Sequence, residues 1–192
     1  TDDELISKIT KRKDIVYHLA ALIGIPYSYI APKSYINTNI VGTYNILNGS
    51  LNSSCESVVV TSTSEVYGTA EYTPIDEKHI LKGQSPYSAT KIAADKIAES
   101  YFYSFGLPVK IARPFNTYGP RQSARAIIPS IISQLMSKQK FLKVGNLNTY
   151  RDFNYVTDVA RGLYEISKAN KLNGTSTNIS SGKKVSIKEL IK

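Results

Sequence analysis

Tyr87 and Lys91 stand four residues apart in "SPYSATK" (85–91), and "TSTSEVYG" (61–68), just upstream, carries a run of hydroxyls into a carboxylate, Glu65. On a helix, side chains at i and i+4 share a face, so the phenol and the ammonium would be neighbours. A tyrosine with a pKa near ~10 is a poor base at neutral pH. A nearby ammonium lowers that value by stabilising the phenolate. Such a pair can exchange a proton with a sugar or alcohol hydroxyl while hydride leaves the same carbon. A surface Tyr/Lys pair satisfies the same spacing, so Y-x-x-x-K carries little by itself. Glu65 adds weight, because a charge at the end of a buried strand is costly unless it is used.

These side chains need elements to place them. Short apolar runs alternate with longer helical ones, which predicts an α/β protein with a parallel sheet. "DIVYHLAA" (14–21) reads as a buried strand running into a loop, and "SVVVTSTS" (57–64) as a second, β-branched strand. "LPVKIARP" (107–114) is a third, stopped by Pro114. Between them, Ile36, Ile40, Tyr44 and Leu47 recur at helical spacing after Pro32. Ser85 is an N-cap candidate with Pro86 as first helical residue, and that helix ends near Gly106. Further on, helices are predicted in "IIPSIISQLMSK" and "VTDVARGLYEISKA", and strands in "FLKVG" and "STNISSG". Helix-like segments stand at both ends of the chain, "DDELISKITK" and "SIKELIK", and both ends look cut.

Bulk properties exclude several classes. With 192 residues, 42% of them hydrophobic, the chain can bury one substantial core. Its formal charge of +9 comes from lysines scattered as in "TKRKD" and "SGKKVSIKELIK". No arginine stripe marks a nucleic-acid surface, whereas an anionic small substrate fits this balance. No stretch approaches the roughly 20 apolar residues of a membrane span, and no signal-peptide pattern opens the chain. The lone Cys55 rules out an internal disulfide and fits a cytoplasmic location. No metal site is expected.

Five motifs in order, "HLAA", "STSEVYG", "PYSATK", "RPFNTYGPR" and "RDFNYVTDVARG", resemble those of the extended short-chain dehydrogenase/reductases that act on nucleotide sugars. The resemblance covers nearly the whole chain. It implies a Rossmann-like doubly wound parallel sheet in which "DIVYHLAA" is the fourth strand. The N-terminal βαβ part and its Gly-rich phosphate loop would lie upstream, since no glycine precedes Gly24. It also implies an incomplete NAD-binding domain over 1–118 and 152–180, and a partial substrate lobe over 119–151 and 181–192.

Within that family the triplet Thr63, Ser64, Glu65 is similar to that of the 4,6-dehydratases. Oxidising C4 of a hexose to a ketone acidifies the C5 proton, which a carboxylate placed there can remove. The resemblance makes Glu65 the C5 base, with Ser64 orienting it and Thr63 bonding the C4 oxygen, beside Tyr87 and Lys91. "GIPYSY" and "GPRQSARAIIP" are similar to dehydratases of UDP- or GDP-linked N-acetylglucosamine. UDP-glucuronate decarboxylases and 4-epimerases share much of the pattern, and a catalytically silent dinucleotide-binding module is the reading from another class. By the same resemblance, Leu19, Ala20, Ala21, Thr61, Ser62, Pro114 and Phe115 would join Tyr87 and Lys91 in contacting NAD. Tyr27, Ser28, Asn116, Ile127 and Arg151 would hold the nucleotide sugar. A homodimer would form through the helices containing Tyr44 and Ile97.

Overall fold

The computed structural model describes residues 2–138 and 140–192. Helix α1 (Asp3–Thr10) opens on Asp2, whose carboxylate accepts from the Leu5 N–H at 2.9 Å. It leads into β1 (Ile15–His18). A long crossover follows: α2 (Ile25–Ile30), α3 (Pro32–Tyr35), a π-helical turn (Ile36–Val41) and α4 (Gly42–Asn52). Where α1 crosses α4, Gly49 leaves the room, since a Cβ there would sit 2.8 Å from Thr10 Oγ1.

Strand β2 (Ser57–Thr61), helix α5 (Pro86–Phe105) and strand β3 (Val109–Pro114) come next, then β4 (Asn116–Tyr118) and α6 (Ile127–Met136). The chain closes with β5 (Tyr150–Arg151), β6 (Phe153–Tyr155), α7 (Val156–Lys168), β7 (Ser176–Ile179), β8 (Val185–Ser186) and α8 (Ile187–Ile191). Four strands form one parallel sheet in the order β1-β2-β3-β7. Alternation along β2 splits its side chains between two cores. Val58 and Val60 pack with Leu47, Ala98, Tyr101 and Ile111 beneath α4 and α5, while Val59 packs with Ala112, Val159, Leu163 and Ile166 beneath α7. Helices thus cover both faces, as the predicted doubly wound α/β class requires. Two short ladders flank the sheet: β4 runs parallel to β6, and β5 antiparallel to β8.

Two local expectations differ from what is found. β1 is not a buried strand: it is the sheet's edge among the described residues, with Ile15 and Tyr17 each 39% exposed. The helical spacing of Ile36, Ile40, Tyr44 and Leu47 is met by the π turn and α4, where Leu47 is buried and Ile36 and Tyr44 are exposed. The buried face there is Tyr35, Asn39, Thr43 and Leu47, one position before Ile36, Ile40 and Tyr44. "FLKVG" forms no strand; Lys143 is held instead by the Gln134 side chain, which accepts from its N–H at 2.7 Å and donates to its carbonyl at 3.1 Å.

Candidate active site

The carboxyl end of β2 and the amino end of α5 create the site. After Thr61 the strand stops, and Thr63 caps a 3₁₀ turn, Ser64–Tyr67, by accepting from the Glu65 N–H at 3.2 Å. Val66 and Tyr67 are fully buried and anchor the turn, leaving Glu65 half-buried at its outer side. Gly68 ends it at φ +67, and a Cβ there would lie 2.8 Å from the Lys82 carbonyl. Opposite, Ser85 and Ser88 form a reciprocal capping box at 3.1 and 3.0 Å, and Pro86 pre-sets the first helical turn. That start fixes Tyr87 in the first turn of α5 and Lys91 in the second.

Tyr87 is 6% exposed, with the edge of Tyr35 against its ring at 6.3 Å. Burial pushes its phenol up to about 12; a hydrogen bond with Thr63 works against the rise, while the charge of Glu65 adds to it. The structure therefore brings Thr63, Glu65 and Tyr87 together from two elements. Lys91 is equally buried, and its ammonium donates to the Thr61 carbonyl at 2.6 Å. Its pKa is lowered by burial, which the carboxylate of Asp95 opposes. The expected lowering of the Tyr87 pKa by Lys91 is not what this geometry produces. The flexible lysine stem reaches past the phenol to a backbone oxygen, and desolvation dominates both groups.

Other sequence-predicted residues are placed as follows. Thr61 and Ser62 lie at the β2 strand end, and Thr61 Oγ1 is buried with no hydrogen-bond partner among the described residues. Leu19, Ala20 and Ala21 form the coil after β1, with Leu19 exposed. Pro114 ends β3 and Phe115 follows it, both half-buried. These residues line the carboxyl ends of adjacent parallel strands, where open α/β sheets bind ligands. An unpartnered hydroxyl on the strand end whose carbonyl holds a lysine, with Ala20 and Ala21 in the coil after one neighbouring strand and Pro114 at the end of the other, fits the ribose and ring of a nicotinamide.

Asn116 sits on β4 and Ile127 opens α6, both half-buried, while Arg151 is exposed with Nη1 donating to the Tyr150 carbonyl at 2.7 Å. Tyr27 is half-exposed. Ser28 does not line an open wall: it is fully buried and its hydroxyl donates to the Ile25 carbonyl at 2.7 Å. A separate hollow of about 670 Å³ lies between the 118–122 turn and α6, lined among others by Tyr118, Arg121, Gln122, Ile128 and Met136. None of Thr63, Glu65, Tyr87 or Lys91 borders it.

Several supporting residues carried no signal in the linear pattern. Asn39, in the π turn, accepts from the Leu22 N–H at 2.9 Å and donates to the Leu22 carbonyl at 3.0 Å and to Thr90 Oγ1 at 3.1 Å. It ties the coil after β1 to α5. The π turn was the available clue, since such bulges gather at functional sites. His18 meets Thr43 Oγ1 at 3.0 Å, and burial, then the charge of Lys91, lowers its pKa to about 4. Thr43 already donates to the Asn39 carbonyl, so His18 Nε2 is the donor and the ring is neutral. Beneath Lys91, Asp95 pairs with Arg113 inside the core.

Comparison with known proteins gives the family and the fold. The family model described as GDP-mannose 4,6 dehydratase matches residues 1–192. A dTDP-glucose 4,6-dehydratase of Streptomyces griseus is 33% identical over 184 residues, covering 96% of this chain and 56% of that protein. Among solved structures, a dTDP-glucose 4,6-dehydratase of Streptomyces venezuelae with NAD bound superposes with a TM-score of 0.92 at 27% identity, covering 99% of this chain and 59% of that one. A UDP-N-acetylglucosamine 4-epimerase of Methanobrevibacter ruminantium gives 0.92 at 32% identity, covering 97% and 61%. The chain spans about half the length of the curated relatives it matches. With its Rossmann-type sheet, its Tyr87–Lys91 pair and its full match to the family model, the chain belongs to the GDP-mannose 4,6 dehydratase family of extended short-chain dehydrogenase/reductases.

Proposed function

We propose that residues 1–192 carry the catalytic centre of an NAD-dependent nucleotide-sugar 4,6-dehydratase acting on a UDP- or GDP-linked N-acetylglucosamine. The product is a 4-keto-6-deoxy sugar nucleotide. The observation that carries this is the Thr63-capped turn, which holds Glu65 close enough to Tyr87 for its charge to raise the phenol. An enzyme that moves only the C4 hydrogen needs Tyr, Lys and a hydroxyl; a second acid–base group at that place suits chemistry at C5 and C6.

The residues divide the work. NAD, when bound, would take the C4 hydride and give it back at C6 once water has left, and Thr61, Ser62, Lys91, Pro114 and Phe115 would hold its nicotinamide half, with Leu19, Ala20 and Ala21 beneath its adenosine side. Tyr87 exchanges the proton of the C4 hydroxyl, and Thr63 hydrogen-bonds that oxygen. With C4 a ketone, Glu65 removes the C5 proton and delivers one to the departing C6 oxygen, with Ser64 orienting the carboxylate. Asn116 and Arg151 suit the substrate diphosphate, Arg by its fixed fork of donors, and Ile127 the base. Tyr27 lies toward the sugar. We assign the cofactor half to 1–118 and 152–180 and the substrate lobe to 119–151 and 181–192. The exposed Tyr44 on α4 belongs to a face that would pair in a cytoplasmic homodimer.

A 4-epimerase is the second reading, favoured by the solved epimerase that superposes equally well. Substrate deuterated at C4 separates the two in the complete enzyme. A dehydratase moves the label to C6 of a 4-keto product and, in heavy water, takes solvent deuterium at C5. Label returned to C4 of a hexose that keeps its C6 hydroxyl would establish epimerisation, and label at C4 of a pentose would establish decarboxylation.

A further inference from the structure

Tyr87, Lys91 and Asp95 stand one above another on α5, at i, i+4 and i+8. The first two face the site; the third points down into the core and is fully buried. Arg113, from β3, grips one oxygen of that carboxylate with two nitrogens, Nε and Nη2, each at 3.0 Å. Its remaining nitrogen, Nη1, donates to Tyr67 Oη at 3.1 Å, and Tyr67 donates on to Asn178 Oδ1 at 2.7 Å. Tyr67 belongs to the turn that carries Glu65. A buried ion pair of this kind is a poor source of net stability, because desolvating two charges consumes most of their attraction. Its position suggests another use.

Lys91 must be an ammonium to hold a hydroxyl-bearing ligand as a donor while it also donates to the Thr61 carbonyl. The titratable and charged groups of this cluster are His18 from β1, which feels Lys91, Asp95 from α5, which Lys91 and Arg113 from β3 both face, and Tyr87 with Tyr35 and Glu65 beside it, while Tyr67 meets Arg113. His18 is neutral, and Arg113 is a second cation. Asp95 is the carboxylate whose charge opposes the loss of the lysine's proton. Burial pushes the carboxyl's own pKa up, while Arg113, Ser62 and Lys91 draw it down. Protonating Asp95 would leave the buried Arg113 without its counter-ion, so the carboxylate is the form that balances the cluster.

We propose that Asp95, clamped by Arg113, is a positioning residue that keeps Lys91 charged beneath Tyr87. This rests on the dehydratase function proposed above for its consequence in catalysis, but the charge of Lys91 can be read without turnover. In the complete NAD-bound enzyme labelled with ¹³Cε-lysine, the Lys91 resonance, assigned through Lys91→Arg, is titrated against pH in wild type and Asp95→Asn. The midpoint moves to lower pH in Asp95→Asn. The alkaline limb of kcat/KM moves with it, and the loss at neutral pH stays below the ~10²–10⁴-fold cost of removing an acid–base group.

Because Asp95→Asn strands Arg113, the double variant Asp95→Asn with Arg113→Gln supplies a neutral pair, and its Lys91 midpoint is also lowered. An unchanged midpoint in either folded variant overturns the proposal, whatever activity does. Failure of both to fold assigns the carboxylate to holding the fold, and overturns it too. A lowered midpoint in a protein that dehydrates no sugar nucleotide upholds Asp95 and refutes the proposed function instead.

Discussion

Lys110 offers a quantitative test of how this core tolerates charge. It lies on β3, fully buried, on the face covered by α7. Its Nζ donates to Ser57 Oγ at 2.9 Å, and Ser57 Oγ donates to the Ser167 carbonyl at 3.0 Å. No carboxylate pairs with it among the described residues, and burial lowers its pKa. Lys110→Met keeps the stem's volume and removes the amine. The variant loses one hydrogen bond, worth about 1 kcal/mol, but Ser57 keeps its acceptor and nothing is stranded. Against that stands the desolvation of an amine that lacks a counter-ion; replacing buried ionic groups by apolar ones of similar size gains about 1–4 kcal/mol. The expected net gain is on the order of 1–2 kcal/mol at pH 7, or roughly 2–8 °C in Tm for a domain of this size.

The pH dependence supplies the sign. Folding lowers the lysine's pKa, so between the folded value and ~10.4 the unfolded chain binds more protons and wild-type stability rises with pH. The penalty is fully present below the folded pKa and disappears above ~10.4. The advantage of Lys110→Met must therefore shrink between neutral pH and pH 10. Thermal melts of wild type and variant at pH 7 and pH 10, followed by circular dichroism, measure both effects. A Tm that falls at pH 7, or a gain that stays constant to pH 10, would refute the reasoning.

Glu65→Gln in the complete enzyme should permit oxidation at C4 and block elimination, so reduced-nicotinamide absorbance accumulates with substrate; wild-type turnover would remove Glu65 from the mechanism. Tyr87→Phe should cost on the order of 10²–10⁴-fold in the first oxidation, and normal formation of reduced nicotinamide in single-turnover mixing would exclude it as the acid–base group. His18, with a pKa lowered from 6.5 to about 4, is neutral when folded, so its contribution to stability is complete above 6.5 and lost as pH falls toward 4. Across that window the loss is on the order of 3 kcal/mol, and His18→Gln should flatten the acid limb of a urea-denaturation series; an unchanged limb would show that other groups govern it.

Much of this molecule is written locally. The caps of α5 need only Ser85, Pro86, Ser88 and Gly106, because helix ends are satisfied by near neighbours. The β-branched run of β2 and the i,i+4 pair on α5 are likewise local, so the catalytic candidates are legible in the sequence, although the strand read over 57–64 ends at Thr61, where Thr63 caps a turn. What tertiary structure decided lies between segments. β1 reads as buried by composition, yet its burial depends on what pairs beside it, and it stands at an edge. The spacing of Ile36, Ile40 and Tyr44 marks a helix, but which face is buried is set by α5 and the coil after β1, which take Asn39 and Thr43 inward. The phenol's pKa was misjudged in the same way: spacing places Lys91 on the right face, but only packing shows its ammonium on the Thr61 carbonyl and Tyr87 out of water. Asp95 and Arg113 are 18 residues apart and meet only because α5 lies across β3. A side chain's spacing belongs to its own segment, whereas its solvation and its charge partners are set by whichever other segments fold against it.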